Sequence, residues 1–445
     1  MKYCTRCLYP ENHPYGIIFD SDGVCSGCRV HEEKDTINWD LKFQKLKNIA
    51  LSNKERVKGR GFDCIIPVTG GGDSYFIVHT VKNVLGMNPL LVHYNHQFNT
   101  KAGIRNLANL STVFDCEILT TTLSPDLLKR ITRASLKKYG SIYWQALAGY
   151  YTYPVQMAVK FRVPLIIWGV QPWSEQTGMF SHHDEAEMTE RCRKEHGLMG
   201  LSAEDFIDPE HGISRSDVQP FIYPYDNEIE AVGLRGLYLS NYIRWDSKKQ
   251  HEKMIELYGY ESKEQYRTFN KYEDVHCHLS ASLHDYIKFT KLGYSKVTDH
   301  ASREIRLKRM TRNEGIKMVE KYSQLEPDED NLKTFLNWAD ISKKDFYECI
   351  NKHRDPKIWN FNSKDNKWKI NCSISHLSEN KHSEVQLERK EDCNFLTTPV
   401  SEDIEDIEYL LMGRSYFDKY HYGSIQDSPK DGNLTPRKWQ KPKIG

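Results

Sequence analysis

Long apolar runs are missing from this sequence. No stretch of eighteen or more hydrophobic residues occurs, so a membrane-spanning helix is not expected. The start, Met1-Lys2-Tyr3-Cys4, lacks the apolar segment of a signal peptide. A surplus of charge is missing too: Lys+Arg number 62 against 61 Asp+Glu, a formal net charge of +1. That balance argues against a broad electrostatic footprint for nucleic acid and leaves at most a local patch. No internal repeat is present, which excludes a solenoid. A cytoplasmic protein working away from membranes is the expectation.

A disulfide framework is absent as well. The eleven cysteines are an odd count, and seven of them (Cys64, Cys116, Cys192, Cys277, Cys349, Cys372 and Cys393) are scattered singly, as in a reducing compartment. The other four form Cys4-x2-Cys7-x17-Cys25-x2-Cys28, the paired spacing of a four-thiolate zinc site. Each Cys-x-x-Cys knuckle brings two sulfurs to one ion, and Gly23 and Gly27 suit the tight turns. Four sulfurs fill a tetrahedron and leave no position for water, so the zinc is expected to be structural, replacing a core that so short a segment cannot build. A redox or iron–sulfur centre is the competing reading.

At 445 residues the chain has room for two or three domains. Residues 1–35 form the expected zinc-knuckle module. From Asp63 strands and helices alternate. Strands are predicted at Cys64–Val68, Leu90–Tyr94, Cys116–Leu119 and Pro164–Trp168. Helices are predicted from the glycines to Leu85, over Ala102–Val113, from Pro125 toward Tyr139 and over Gln145–Phe161. Such alternation implies right-handed crossovers and a doubly wound parallel sheet, an α/β fold, over 36–235. Its ligands should sit beyond the carboxyl ends of the strands, at Thr69–Ser74, Tyr94–Asn99 and Gly169–Gln171. Residues 236–360 read as a mainly helical substrate or partner region. A polar extension, 361–445, contains one helical-looking piece, Ile404–Tyr416. The abundant tyrosine and tryptophan suit a lined pocket and a packed core equally.

The most informative stretch is Thr69-Gly-Gly-Gly-Asp-Ser74, between a strand and a helix. Contiguous glycines let the backbone approach an anion and permit positive φ. A helix N-terminus beyond them favours phosphate. Thr69 and Ser74 add hydroxyls, and Asp73 can hold Mg²⁺ or order the loop through its amides. The Gly-Lys-[Ser/Thr] ending of a Walker loop is absent, and so is the Gly-x-Gly-x-x-Gly spacing of a dinucleotide fold. A glycine-rich turn without a ligand is the competing reading.

The loop resembles the Ser-Gly-Gly-x-Asp-Ser signature of the PP-loop ATP pyrophosphatases, with Thr69 keeping the first hydroxyl. Within that superfamily the chain resembles the N-acetyl sugar amidotransferases of bacterial surface-polysaccharide pathways. The resemblance is carried by Tyr3–Pro10, Gly23–Cys28, the loop, Trp168-Gly169, Gly236–Asp246, Asp285–Tyr294, and above all Thr298–Arg306 with Met310–Gly315. It implies a PP-loop (HUP-like) sheet and an ATP site at Thr69, Gly70, Gly71, Gly72, Asp73 and Ser74, with Asn95 and Gly169 beside it. Asp73 and Ser74 are the expected catalytic positions. ATP with Mg²⁺ would adenylate the amide oxygen of an acetamido group on a nucleotide-activated sugar. Ammonia would then displace AMP to leave an acetamidino group. No isolated cysteine lies in a nucleophile elbow, so ammonia is expected from a separate glutaminase. The resemblance points to one working with a barrel subunit like that of imidazole glycerol phosphate synthase. The chain departs from the family pattern at Asn95 and at Val170-Gln171, where acidic and Glu-Asn residues are usual. Glu175 is a substitute carboxylate or a solvated one.

Weaker signals are His182-His183-Asp184 with Glu185 and Glu187, read as a solvated loop rather than a metal cluster. His276-Cys277-His278, read as a strand, would send both histidines to one face. Arg303, Arg306, Arg309 and Arg312 recur at three-residue spacing, as a phosphate-facing stripe or an ordinary solvated helix face. The alternatives to the amidotransferase are a tRNA-thiolating PP-loop enzyme and a nucleotide-binding subunit without turnover. Balanced charge, the lack of a second Cys-x-x-Cys beside the sheet and the 298–315 stretch speak against the thiolating enzyme.

Overall fold

The computed structural model describes residues 1–371, 373 and 374. At its centre lies a sheet of five parallel strands: β1 (Cys64–Pro67), β2 (Pro89–Asn95), β3 (Ile118–Thr122), β4 (Leu165–Trp168) and β5 (Arg235–Tyr238). Their order is β3-β2-β1-β4-β5. The chain steps outward from β1 to β3, then returns past β1 to β4, so the order reverses between β1 and β4. Crevices at such reversals are where open α/β sheets bind ligands.

The short apolar runs are strands because both sheet faces are covered. Ile66, Leu91 and Ile167 pack on one face under the helix Gly72–Val78, which continues as a π-helical turn over His79–Val84. Ile65, Leu90, Val92 and Ile166 pack on the other under Val155 and Ala158 of the helix Trp144–Lys160. The expected parallel α/β sheet is therefore present. It also extends farther than expected, because β5 runs to Tyr238 and pairs with β4 from Leu165↔Arg235 to Trp168↔Tyr238. Four residues reading Arg-Gly-Leu-Tyr give too short an apolar run to signal a strand.

C-terminal to the sheet come the helices Ser247–Tyr258, Leu283–Leu292, Lys296–Arg306, Arg312–Ser323, Glu329–Ala339 and Lys343–Lys352. A small antiparallel hairpin follows, Trp359–Asn362 with Lys367–Ile370. The expected helix at Ile404–Tyr416 lies outside the described residues. Among the described residues no helix is long and apolar enough to cross a membrane.

Candidate functional site

Thr69–Ser74 leaves the carboxyl end of β1, beside the reversal of strand order, and Gly71 is the N-cap of the helix Gly72–Val78. Inside the loop the hydroxyls hold backbone. The Thr69 N–H donates to Ser74 Oγ at 3.0 Å, and the Gly71 N–H to Thr69 Oγ1 at 3.3 Å. The three glycines are not equivalent. Gly70 has φ +81°, and a Cβ there would lie 2.8 Å from the Gly103 carbonyl oxygen. One at Gly72 would lie 2.6 Å from the His251 ring. These two glycines are therefore required by the fold itself. Gly71 has ordinary φ, and its nearest neighbours would be His276 Nδ1 and Thr69 Oγ1, both at 3.3 Å.

Asp73 accepts a hydrogen bond from His251 Nε2 at 2.8 Å. His251 is buried on the helix Ser247–Tyr258, whereas the Asp73 side chain keeps 39% of its surface exposed. One carboxylate oxygen is thus engaged by a side chain 178 positions away, a contact with no sequence signal. Asn95 ends β2, where its Oδ1 accepts from the Gln97 N–H at 3.0 Å and Asn99 Nδ2 at 2.8 Å. It shapes the turn beyond the strand. Gly169 follows β4, and its missing Cβ makes room for Ile77 and Trp245. Gln171 is buried, donating its N–H to the Ser240 hydroxyl and its Nε2 to the Ala186 carbonyl.

Residues 273–278 close over this loop. The Thr100 N–H donates to the His276 carbonyl at 3.1 Å and the His278 N–H to the Phe98 carbonyl at 2.8 Å, with a single antiparallel bridge, Asn99↔Cys277. Gly103 permits the approach, since a Cβ there would lie 2.4 Å from His276 Cα. His276 is buried, its Nδ1 has no hydrogen-bond partner, and burial pushes its pKa down to about 4. A neutral imidazole with a free nitrogen thus faces Gly71. The expected strand with both histidines on one face is corrected: a turn connects them, His276 is buried and His278 exposed. Behind His276, Asp274 binds Lys296, and Glu273 binds Arg303 and, at 3.2 Å, His300 Nε2.

The four cysteines form the second centre. All are buried, and their sulfurs lie within 4.8 Å of one another, with Cys7 and Cys25 Sγ 3.6 Å apart. A tetrahedron with zinc–sulfur bonds of about 2.3 Å has edges of about 3.8 Å, so the spacing fits such an ion. The N–H groups of Arg6, Cys7 and Cys25 point at Cys4 Sγ at 3.4, 3.4 and 3.2 Å, which stabilises a thiolate.

Both readings of the arginine series are corrected here. Arg306 and Arg312 clamp the cysteine module, whereas Arg303 and Arg309 pair with carboxylates. Arg306 is 8% exposed, and its guanidinium lies 3.4 Å from Cys25 Sγ, 3.5 Å from Cys28 Sγ and 3.9 Å from Cys7 Sγ. It also donates to the Glu175 and Gln176 carbonyls at 2.7 and 2.9 Å and stacks over Tyr9. Arg312 donates to the Cys7 and Cys4 carbonyls, both at 3.2 Å. Arg309 joins Glu304 and Asp246. The single helix expected for them is broken: Lys296–Arg306 ends at Arg306, Arg309 lies in the link, and Arg312 opens the next helix.

Glu175 is not a solvated carboxylate. Its Oε2 pairs with buried Lys34 at 2.7 Å. His182 is buried beside it, 3.8 Å from Glu175 Oε1, while His183 is exposed, so the solvated-loop reading holds for only part of that cluster. Glu185 pairs with Lys42 and Lys45, and Glu187 with Arg235.

Residues 265–374 match the model of the C-terminal domain of WbpG-like LPS biosynthesis proteins. The matched segment contains Glu273, Asp274 and His276 over the glycine loop, and Arg306 and Arg312 at the cysteine centre. An uncharacterized protein of Methanocaldococcus jannaschii is 23% identical over 135 residues, 28% of this chain and 47% of that protein. The chain thus spans less than half the length of this relative. The C-terminal match agrees with the lipopolysaccharide context that the family resemblance implied.

Proposed function

We propose that this chain is an ATP-dependent amidotransferase of the PP-loop class, acting on an acetamido group of a nucleotide-linked sugar in surface-polysaccharide biosynthesis. The observation that carries the reading is the juxtaposition at Gly71. A glycine loop starts a helix at the reversal of the sheet, and the segment matching the LPS biosynthesis domain sets a free imidazole nitrogen against it. Gly70 and Gly72 are accounted for by packing, so Gly71 is the glycine for which a ligand remains the reason.

Thr69, Gly71 and Ser74 would hold the β and γ phosphates of ATP, with Asp73, through its unshared oxygen, beside the accompanying Mg²⁺. ATP makes the amide oxygen a leaving group. The balance is acetamide, ammonia and ATP giving acetamidine, AMP and pyrophosphate, the amide oxygen leaving on AMP. Within the chain, His251 fixes the Asp73 carboxylate, and neutral His276 is available to take a proton from the attacking nitrogen at Nδ1. Zinc at Cys4, Cys7, Cys25 and Cys28 would hold the N-terminal module without entering the chemistry.

The described cysteines outside that centre are poor nucleophiles. Burial pushes the Cys277 thiol up to about 11 and raises Cys64, while Cys192 is 5% exposed. A separate glutaminase with a barrel subunit as the source of ammonia is therefore part of the proposal. Incubation with ATP, ammonium and candidate nucleotide sugars tests it. AMP should form together with a sugar product lighter by the difference between O and NH, and AMP formation without that product would overturn the assignment.

A further inference from the structure

A cavity of about 390 Å³ opens between the cysteine module, the helices Pro125–Tyr139 and Trp144–Lys160, and the helices Leu283–Leu292 and Lys296–Arg306. No residue of Thr69–Ser74 lines it, so it is distinct from the glycine loop. Its volume is in the usual range for small-molecule sites, about 300–1,000 Å³.

Charge fixes the sign of its occupant. Lys288, Lys291 and Lys296 line the cavity, each partly exposed, and the one carboxylate beside them is Asp299. Lys288 neutralises Asp299, and Lys296 pairs with Asp274, which stands behind the lining. His13 and His284 add no charge near neutral pH, because burial pushes them down to about 4 and about 3. Three ammonium groups thus meet two carboxylates, and one positive charge is left over. It sits on Lys291, which donates to the Tyr139 carbonyl at 2.7 Å and has no carboxylate partner among the described residues. A neutral carbonyl takes one of its three N–H donors and leaves the charge uncompensated. Burial lowers the Lys291 pKa, as it does for an ammonium withdrawn from water without a counter-ion. An anion in the cavity supplies that counter-ion, whereas a cation would face three ammonium groups.

The walls fix its shape. Tyr15, Tyr139, Tyr143 and His284 line the cavity and keep part of their surface accessible. Tyr143 and His284 stack at 4.7 Å, and Lys288 Nζ lies 4.5 Å from the centre of the Tyr294 ring. Leu147 and Met199 add aliphatic surface. Such walls take a ring by its faces, and ammonium groups take a phosphate as point charges. A bare phosphate leaves the walls unused, and an uncharged ring leaves Lys291 unmet. A phosphate carried on a ring uses both.

We propose that this cavity binds a ring-bearing phosphate ester, a nucleotide or a sugar phosphate, at a site of its own apart from the glycine loop. The assignment stands on the lining and does not depend on the reaction proposed above. The test is calorimetry on the full chain with UMP and glucose 1-phosphate as probes and inorganic phosphate as the control. At least one ringed probe should bind more tightly than phosphate, with saturation-transfer NMR marking its ring protons, and the tighter of the two names the source of the phosphate. Lys291→Gln should weaken that binding roughly tenfold, and Lys291→Arg should keep most of it. Met199 lines the cavity and is 42% exposed, so Met199→Glu brings in a negative charge without disturbing the core and should weaken binding several-fold. Gly71→Ala should leave it unchanged. Melting curves identify any variant that has lost its fold, and the other then decides. Failure of both ringed probes to exceed phosphate overturns the proposal. So does binding that ignores Lys291→Gln and Met199→Glu in folded protein, or binding that is lost in Gly71→Ala.

Discussion

Replacing Arg306 by Met should loosen the cysteine centre and the loop after β4 together. Four thiolates around one divalent ion keep two net negative charges, and Arg306 is the guanidinium buried among three of the sulfurs. Methionine fills similar space but removes that charge, and it strands the Glu175 and Gln176 carbonyls. A buried acceptor left unmet costs about 1–3 kcal/mol. Deleting one member of a buried charge pair costs about 3–5 kcal/mol. Because one guanidinium makes both sets of contacts the figures overlap, and we expect about 4–6 kcal/mol in all, roughly three to four decades in an equilibrium constant. The assay is zinc release to a chromogenic chelator, alongside thermal melting. Arg306→Met should release zinc orders of magnitude faster than the parent and melt earlier. Arg306→Lys, which restores charge but not the branched reach, should fall between. In a Cys25→Ser background, where the metal is already weakened, the same change should cost markedly less. A variant that holds zinc like the parent and melts with it would refute the charge-compensation argument. Equal costs in both backgrounds would reduce Arg306 to an anchor for two carbonyls.

Three further outcomes are expected. Gly71→Ala should fold normally yet lose ATP-dependent turnover at least tenfold, whereas Gly70→Ala and Gly72→Ala should destabilise the protein by about 1–3 kcal/mol through overpacking. Equal melting losses for all three would remove the distinction drawn at Gly71. Stability should be greatest near pH 7 and fall as pH drops from 6.5 toward 4. His93 and His276 are held near 4 and His284 near 3 by burial, so the unfolded chain takes up their protons first. His284→Gln should make that fall shallower, and an unchanged slope in denaturant titrations would count against it. Finally, the isolated chain should use ammonium and ignore glutamine, with activity rising toward the ammonium pKa. Glutamine hydrolysis by the purified chain would mean that a nucleophile has been overlooked.

Much of the fold was legible locally. Buried parallel strands appear as short Val, Ile and Leu runs, and the intervening helices as periodic stretches, so β1, β2 and β4 could be read directly, whereas the half-buried edge strand β3, Ile118–Thr122, was expected two residues early at Cys116–Leu119. The edge strand β5 could not: one glycine and one exposed arginine in four residues leave no pattern, and only pairing with β4 makes it a strand. The cysteine spacing is likewise local, because two knuckles can reach one ion whatever surrounds them. What surrounds them is not local. Arg306 reaches Cys28 across 278 positions, and a three-residue recurrence looks the same whether it faces solvent, phosphate or buried sulfur.

The glycine loop divides in the same way. By itself the sequence determined that a strand ends, three glycines turn and a helix begins, because glycine's missing Cβ acts on its own residue and its neighbours. Tertiary structure decided which glycine answers to what: Gly103 and His251 crowd Gly70 and Gly72, while His276 stands off at Gly71. It also gave Asp73 its histidine and Glu175 its buried lysine. A side chain's propensity is written in its own residue, but the burial and charge that set its chemistry come from elements far apart in the chain that meet only in the folded protein.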